Sequence, residues 1–400
     1  MPQLRRDSVT WLIYAQLGAW GYFLYGFGPV VPMLRDEDHV SSAVAGLHST
    51  AFAVGSLIGG ALAPAVLRRF GRGRSMWASL AGVVAGVVAF ALVRGLAFTL
   101  PLAMVIMAFG VIMITGVVAS LNEQHGTAGS AAITEANAVC TAAGLVAPFV
   151  LGATVGAGFG WRPGLLTLVA LVGVLALVAF FFRVRLPAGT VAPSRPSGER
   201  RPLGRAYRLA WSMMAITGSV EAGLSLWAVD LLREHNGMSS GTAAQAISAV
   251  VAGMFLGRWA GARLALRLPA IPFYFGALSV SAAGFLLFWS TPVAAPAIVG
   301  LFVLGLGNAM HYPIAIALAL RAAPDQPDRA AAVSSYSMAV SFGVGPLALG
   351  AAADLLGVRG AFLIVPVLLV AAAACAWRLR VSMTRASAPV PVAAEVLAVS

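Results

Sequence analysis

Residues 211–232 read WSMMAITGSVEAGLSLWAVDLL, from Trp211 to Leu232. The run has about the length of a bilayer-spanning helix, ~20 residues, and carries a carboxylic acid, Glu221, near its middle. At ~100° per residue, Met214, Thr217 and Gly218, Glu221, Leu224 and Ser225, and Ala228 form one stripe, so small and hydroxyl side chains accompany the acid. A carboxylate facing lipid at mid-helix costs at least about 2.5 kcal/mol by insertion scales, so this stripe is expected to face protein or a water-filled cavity. The rest of the chain must supply that cavity. Two readings of Glu221 stay open here: a transport group, or a buried acid hydrogen-bonded to a neighbouring helix for packing alone.

The composition describes the surroundings. The chain has 400 residues, 60% hydrophobic and only 10% charged, with 44 Gly and 22 Pro, and a mean hydropathy of +0.89. This is a polytopic membrane protein, too apolar for a soluble fold. All 26 basic residues are Arg, for a net charge of +12. They lie in short segments between apolar runs rather than along one amphipathic face, which sets nucleic acid aside as a partner. Cys140 and Cys375 sit inside apolar runs and read as buried thiols, not as a disulfide or metal site.

Arg5 and Arg6 precede an uncharged run from Ser8 to Leu34, too long for a signal-peptide core and long enough to span. Eleven further spans follow, at about 43–66, 75–93, 99–121, 130–155, 163–182, 208–230, 241–262, 270–290, 295–318, 330–353 and 360–377. Only helices fit, because their backbone groups are satisfied within each segment and no short alternating periodicity of a barrel is present. With twelve spans both termini share a side, and that side collects 21 of the arginines: Arg5, Arg6, Arg68, Arg69, Arg72, Arg74, the seven from Arg183 to Arg208, Arg258, Arg263, Arg267, Arg321, Arg329, Arg378, Arg380 and Arg385. The other side keeps 5, namely Arg35, Arg94, Arg162, Arg233 and Arg359. The expectation is a cell-membrane protein with both termini cytoplasmic.

A shift of 198 residues lays Met33-Leu34-Arg35-Asp36 over Leu231-Leu232-Arg233-Glu234, and Ser41-Ser42 over Ser239-Ser240. It also carries Gly55 and Gly59 onto Gly253 and Gly257, Arg69 onto Arg267, Pro148 onto Pro346 and Gly152 onto Gly350. One offset over distant regions implies an all-α membrane protein of two pseudo-symmetric, parallel six-helix bundles. The expected division is 1–185 for the first bundle, 186–205 for a cytoplasmic Arg/Pro/Ser/Gly linker, 206–385 for the second bundle and 386–400 for a cytoplasmic tail.

On these residues the chain resembles a bacterial-type major facilitator superfamily transporter over essentially its whole length. The segment from Gly60 to Arg74, GALAPAVLRRFGRGR, is similar to that family's Gly- and Arg-rich signature after the second helix, although Pro64 stands where an Asp is usual. Its counterpart from Gly257-Arg258-Trp259-Ala260-Gly261 to Arg267 is equally degenerate. Ala143-x-x-x-Ala147-Pro148-x-x-x-Gly152 resembles the Gly-Pro motif of the family's antiporters, and Gly345-Pro346-x-x-x-Gly350 is closer to it. Pro148, Pro346, Gly345, Arg72 and Arg258 therefore read as gating or packing positions. The fourth span, LAMVIMAFGVIMITGVVAS, lacks the arginine that many drug exporters of the family carry there.

The remaining intramembrane polar groups rank behind Glu221. Glu135, about one turn inside the fifth span, is a second proton-coupling candidate that near an interface could also cap or snorkel. Asn308 and His311 are i and i+3 in the tenth span, with Tyr312 beside them; since the resemblance places the first, fourth, seventh and tenth helices around the cavity, this cluster is expected opposite Glu221. Tyr25 and Trp20 from the first span, Asn137 and His48 complete the substrate-binding candidates, each weighed against plain helix packing.

An apolar cavity raises the proton affinity of an acid, so Glu221 can take a proton from one side and release it to the other as the halves rock. The expected function is proton-coupled secondary transport of a small organic solute by a monomer in the lipid bilayer, with antiport efflux ahead of symport uptake or uncoupled facilitation. A membrane receptor or scaffold is the distant alternative. No nucleophile–base pair, nucleotide loop or dense metal-ligand cluster appears, so neither an enzyme nor a cofactor or metal is expected.

Overall fold

Asp7 opens the first helix by accepting hydrogen bonds from the Thr10 amide at 2.8 Å and the Thr10 hydroxyl at 2.7 Å. Burial opposes ionisation of this carboxyl, yet the hydrogen bonds from Thr10 and Gln124 outweigh it and hold Asp7 below its ordinary range. The computed structural model describes residues 6–126, 129–186, 202–265, 267–323 and 327–386. Twelve helices occupy them: α1 (Ser8–Asp38), α2 (Ser42–Phe70), α3 (Arg72–Leu92), α4 (Leu96–His125), α5 (Gly129–Gly156), α6 (Arg162–Phe181), α7 (Arg205–Glu234), α8 (Ser240–Ala265), α9 (Ala270–Ser290), α10 (Ala294–Arg321), α11 (Pro327–Ala361) and α12 (Ile364–Ala386). Among the described residues 11 helices are long and apolar enough to cross a membrane. The one outside that set is α1, which is 31 residues long but diluted by Gly, Pro, Tyr, Trp and Gln. The chain is a multi-pass membrane protein, and its outer surface exposes a lipid-facing coat that includes Val174, Phe180, Leu355 and Val370.

Breaks between helices fall where the backbone needs them. His39 ends α1 at φ 52°, and Gly71 separates α2 from α3 at φ 79°. Gly357 interrupts the last turns of α11 at φ 72° and ψ 161°.

Helices α1–α6 pack as one bundle and α7–α12 as the other, and the repeat seen in the sequence is a repeat of contacts. Gly55 of α2 lies against the Met104 carbonyl of α4, and Gly253 of α8 against the Phe302 carbonyl of α10. Gly59 abuts Ala108 as Gly257 abuts Leu306. Each pair maps onto the other at the same 198-residue shift. A side chain at any of the four would push the backbones apart. The 186–205 connection and the 386–400 tail fall almost entirely outside the described residues.

The bundles meet through α1 with α7, α2 with α11, and α5 with α8. Their polar cross-links gather between mid-depth and the end opposite the termini, the far end. There Asp354 of α11 accepts from the Ser42 and Ala43 amides at 2.8 Å each, capping α2 from the other bundle. The Thr50 hydroxyl donates to the Gly343 carbonyl at 2.9 Å, and the Ser248 hydroxyl to the Leu145 carbonyl at 3.0 Å; these are again the same bond at the 198-residue shift. Toward the terminal end Asn137, Tyr312 and Tyr336 are exposed.

Candidate functional site

Glu221 lies near the middle of α7 between two close helix contacts. One turn before it, Gly218 rests on Ser341 of α11; one turn after it, the Ser225 backbone meets Gly28 of α1. The stripe expected from the helical period is therefore the one turned toward neighbouring helices. The acid itself is part-buried, and among the described residues it forms no ion pair.

Three other elements converge on it. Gly21 of α1 sits against Cys140 of α5, and Gly144 lies directly beneath the Tyr25 ring. The α1–α5 approach that these glycines permit carries Tyr25 to mid-depth. Arg258 of α8 donates from Nη1 to the Thr141 hydroxyl at 3.0 Å. Its charge also acts on Tyr25, Glu221 and Cys140. Arg258 is thus a membrane-depth residue, which corrects its sequence placement among the terminal-side loop arginines; the majority on that side is hardly altered by its removal. Tyr25, Glu221 and Arg258 all keep partial accessibility although they lie well inside their helices. They face the space between the bundles.

The other candidates are dispersed. Arg6 grips Glu135 at 2.6 and 2.9 Å, Tyr14 adds a hydrogen bond at 3.2 Å, and the pair is solvent-exposed at the terminal-side mouth. Asn137 is exposed and donates back to the Ile133 carbonyl at 2.9 Å. His48 is enclosed in the first bundle, with Nδ1 2.9 Å from the Ala45 carbonyl and Nε2 3.0 Å from the Thr99 hydroxyl, among Phe27 and Phe90. Trp20 is buried over Gly110 of α4.

Asn308 and His311 do not meet Glu221 as expected. Gly307 lets α10 press against Ala277 and Ser281 of α9, so the adjacent polar pair turns into that contact. The Ser281 hydroxyl donates to Asn308 Oδ1 at 3.0 Å and lies 3.4 Å from His311 Nε2, and the imidazole packs 5.7 Å from the Tyr274 ring. Tyr312, beside them, is 37% exposed.

The packing positions hold two surprises. Arg72 pairs with Glu123 of α4 and reaches the Ala119 carbonyl, so the α2–α3 corner acquires an acid from α4 in place of one at Pro64. Pro346 has no amide to offer the carbonyl one turn back. That carbonyl, of Phe342, accepts instead from Ser49 of the other bundle, while the Pro346 carbonyl accepts from Trp227 Nε1 at 2.9 Å. Gly345 lies against Ser219 of α7. Pro148 stays inside an unbroken α5.

A second polar cluster at the far end was not foreseen. Arg35 contacts Asp230 at 2.6 Å and Asp36 at 2.8 Å; Arg233 contacts Asp36 at 2.7 Å and Asp230 at 3.5 Å. Each arginine thus reaches an acid of the opposite bundle, and a hollow of about 380 Å³ lined by Arg35, Asp230 and Arg233 opens beside them. The sequence signal was the repeated Arg35/Arg233 pair, which drew attention as a repeat rather than as a clasp.

The Major Facilitator Superfamily model matches residues 14–264 and again residues 210–396. Among solved structures, a bacterial homologue of the human lysosomal transporter Spinster, inward-facing and occupied, superposes with a TM-score of 0.74 at 17% identity, over 96% of this chain and 99% of that one. The nucleoside transporter NupG, as its D323A mutant, gives 0.74 at 13% identity over 93% and 98%. The human organic anion transporter MFSD10 gives 0.67 at 17% identity over 94% and 100%. No curated protein matches the sequence.

Proposed function

Because the chain belongs to the major facilitator superfamily and carries a small solute by secondary transport, we propose that its transport is proton-coupled and that Glu221 is the proton-carrying group. The observation that supports this is a carboxylic acid at mid-membrane depth, part-buried, facing the space between the bundles and without an ion-pair partner among the described residues. Such a group exchanges its proton with whichever side it can reach, and carries it across the membrane when that access alternates. Arginine asymmetry supports cytoplasmic termini, so the polar cross-links between the bundles at the far end lie toward the outer side. The solutes of the similar transporters are as different as a nucleoside and an organic anion, so the fold selects no substrate.

The polarity depends on solute charge. A cation competes with the proton for Glu221 and is exchanged for it; an anion binds with the proton and travels with it. Glu135 has a lesser part, since its ion pair with Arg6 lies at the mouth. Tyr25 serves as a wall of the binding space.

Glu221→Gln keeps the side-chain volume but carries no proton. In proteoliposomes the variant should insert normally, bind solute within about threefold of the wild type measured at low pH, where the wild-type acid carries its proton, and lose at least about tenfold in pH-gradient-driven accumulation. Equal gradient-driven flux from wild type and Glu221→Gln, at matched protein density and several pH values, would sink the assignment.

A further inference from the structure

Arg258 has a setting that a structural arginine does not need. It reaches into the divide between the bundles from α8, its hydrogen bonds go to neutral hydroxyls, those of Thr141 at 3.0 Å and of Tyr25, and no carboxylate makes an ion pair with it among the described residues. The sheltered arginines Arg72 and Arg35 are different: Arg72 has Glu123, and Arg35 has Asp230. A guanidinium presents five donors in a planar fork suited to carboxylate, sulfonate or phosphate, and among the described residues no acid answers that fork in an ion pair. Glu221 lies within electrostatic reach of it without forming an ion pair, and both side chains keep partial accessibility.

We propose that Arg258 anchors the anionic group of the transported solute, and that the solute is a small organic anion taken up together with a proton on Glu221. This rests on the proton-coupled reading of Glu221. The coupling is electrostatic. With Glu221 ionised, the pair is neutral and an incoming anion meets repulsion from the acid. Once a proton from the outer solution binds the carboxylate, Arg258 is left as an uncompensated cation and the anion docks on it. Turning the bundles inward releases the anion and then the proton, so a monoanion moves with one proton and no net charge. Thr141 steadies the guanidinium, and the Tyr25 ring, set by Gly144, forms the adjoining wall.

The test uses the purified full chain and a panel of mono- and dicarboxylates, sulfonates and organophosphates, each paired with its uncharged amide or alcohol. Binding is read as thermal stabilisation, and uptake in proteoliposomes after subtraction of protein-free vesicles. The expected result is that anions bind and neutral analogues do not. Arg258→Gln should weaken binding about tenfold or more, and Arg258→Lys should recover part of it. Glu221→Gln supplies an independent check that a packing role does not mimic: with the acid neutral at all pH, anion binding near pH 7.5 should tighten and lose its pH dependence. Neutral analogues binding as well as the acids, unchanged affinity in Arg258→Gln, or silence of the wild type toward the whole panel each overturns the proposal. Glu221-dependent, proton-driven carriage of a neutral or cationic solute overturns the anion assignment while the proton-coupled reading stands. Anion carriage that ignores both the pH gradient and Glu221→Gln sinks the coupling instead.

Discussion

Asn308 and His311 share a single hydroxyl, that of Ser281, in a buried seam between α9 and α10. Losing one interhelical hydrogen bond inside a membrane bundle costs about 1 kcal/mol. His311→Ala and Asn308→Ala should therefore lower the melting temperature, and the loss of transport should track the loss of folded protein while solute affinity in the folded fraction stays unchanged. Calorimetry alongside a binding isotherm on the same preparation checks this; weakened affinity at unchanged melting would return the pair to the binding site. These two side chains were visible in the sequence as a polar pair, but which neighbour they face is fixed by Gly307, whose contact partner on α9 is not written in α10. Arg258 shows the converse. It falls inside the 241–262 span, roughly two turns from the end of α8, and belongs with the intramembrane charges; proximity to the Gly-rich corner disguised it as a loop residue. The mid-span position of Glu221 was legible, because an acid there stands out whatever surrounds it.

At the scale of the element, prolines do more than loosen their helices. Pro346 frees the Phe342 carbonyl, and Ser49 of α2 fills the vacancy from the other bundle, with Thr50 bonding the next carbonyl along. The matching Ser248 bond to Leu145 lies just before Pro148. Spacing alone showed the prolines and their shared offset; it did not show the hydroxyls that answer them, since those belong to helices remote in sequence. Each such bond contributes about 0.5–1.5 kcal/mol, and all three join one bundle to the other. The triple variant Ser49→Ala, Thr50→Val, Ser248→Ala should shift the resting population toward the opposite opening by about tenfold or more. Distances between spin labels placed at the far ends of α2 and α11 would report the shift; an unaltered distribution means that apolar packing alone holds the closure.

For the whole molecule, the twelve-helix layout and its two-part repeat were readable because both follow from span length and from a constant offset, properties that survive without any knowledge of contacts. The central site was only partly readable, since it is assembled from α1, α5, α7 and α8 across the divide. Orientation rests on the arginines and has its own measurement. In a Cys140→Ser, Cys375→Ser background, a cysteine at Asp38 should react with an impermeant thiol reagent in intact cells, and a cysteine at Ser197 should not; equal labelling overturns the assignment. With that orientation the cluster of Arg35, Asp36, Asp230 and Arg233 looks outward, and its members differ in shelter: Asp230 is 1% exposed and Arg35 15%, against 28% for Arg233 and 41% for Asp36. Mobile ions screen exposed charges beyond about 8 Å at physiological strength and reach buried pairs far less. The clasp is thus a latch with one tooth sheltered from external brine and one that brine wears down, so added salt outside is expected to loosen the Arg233–Asp36 contact before the Arg35–Asp230 one.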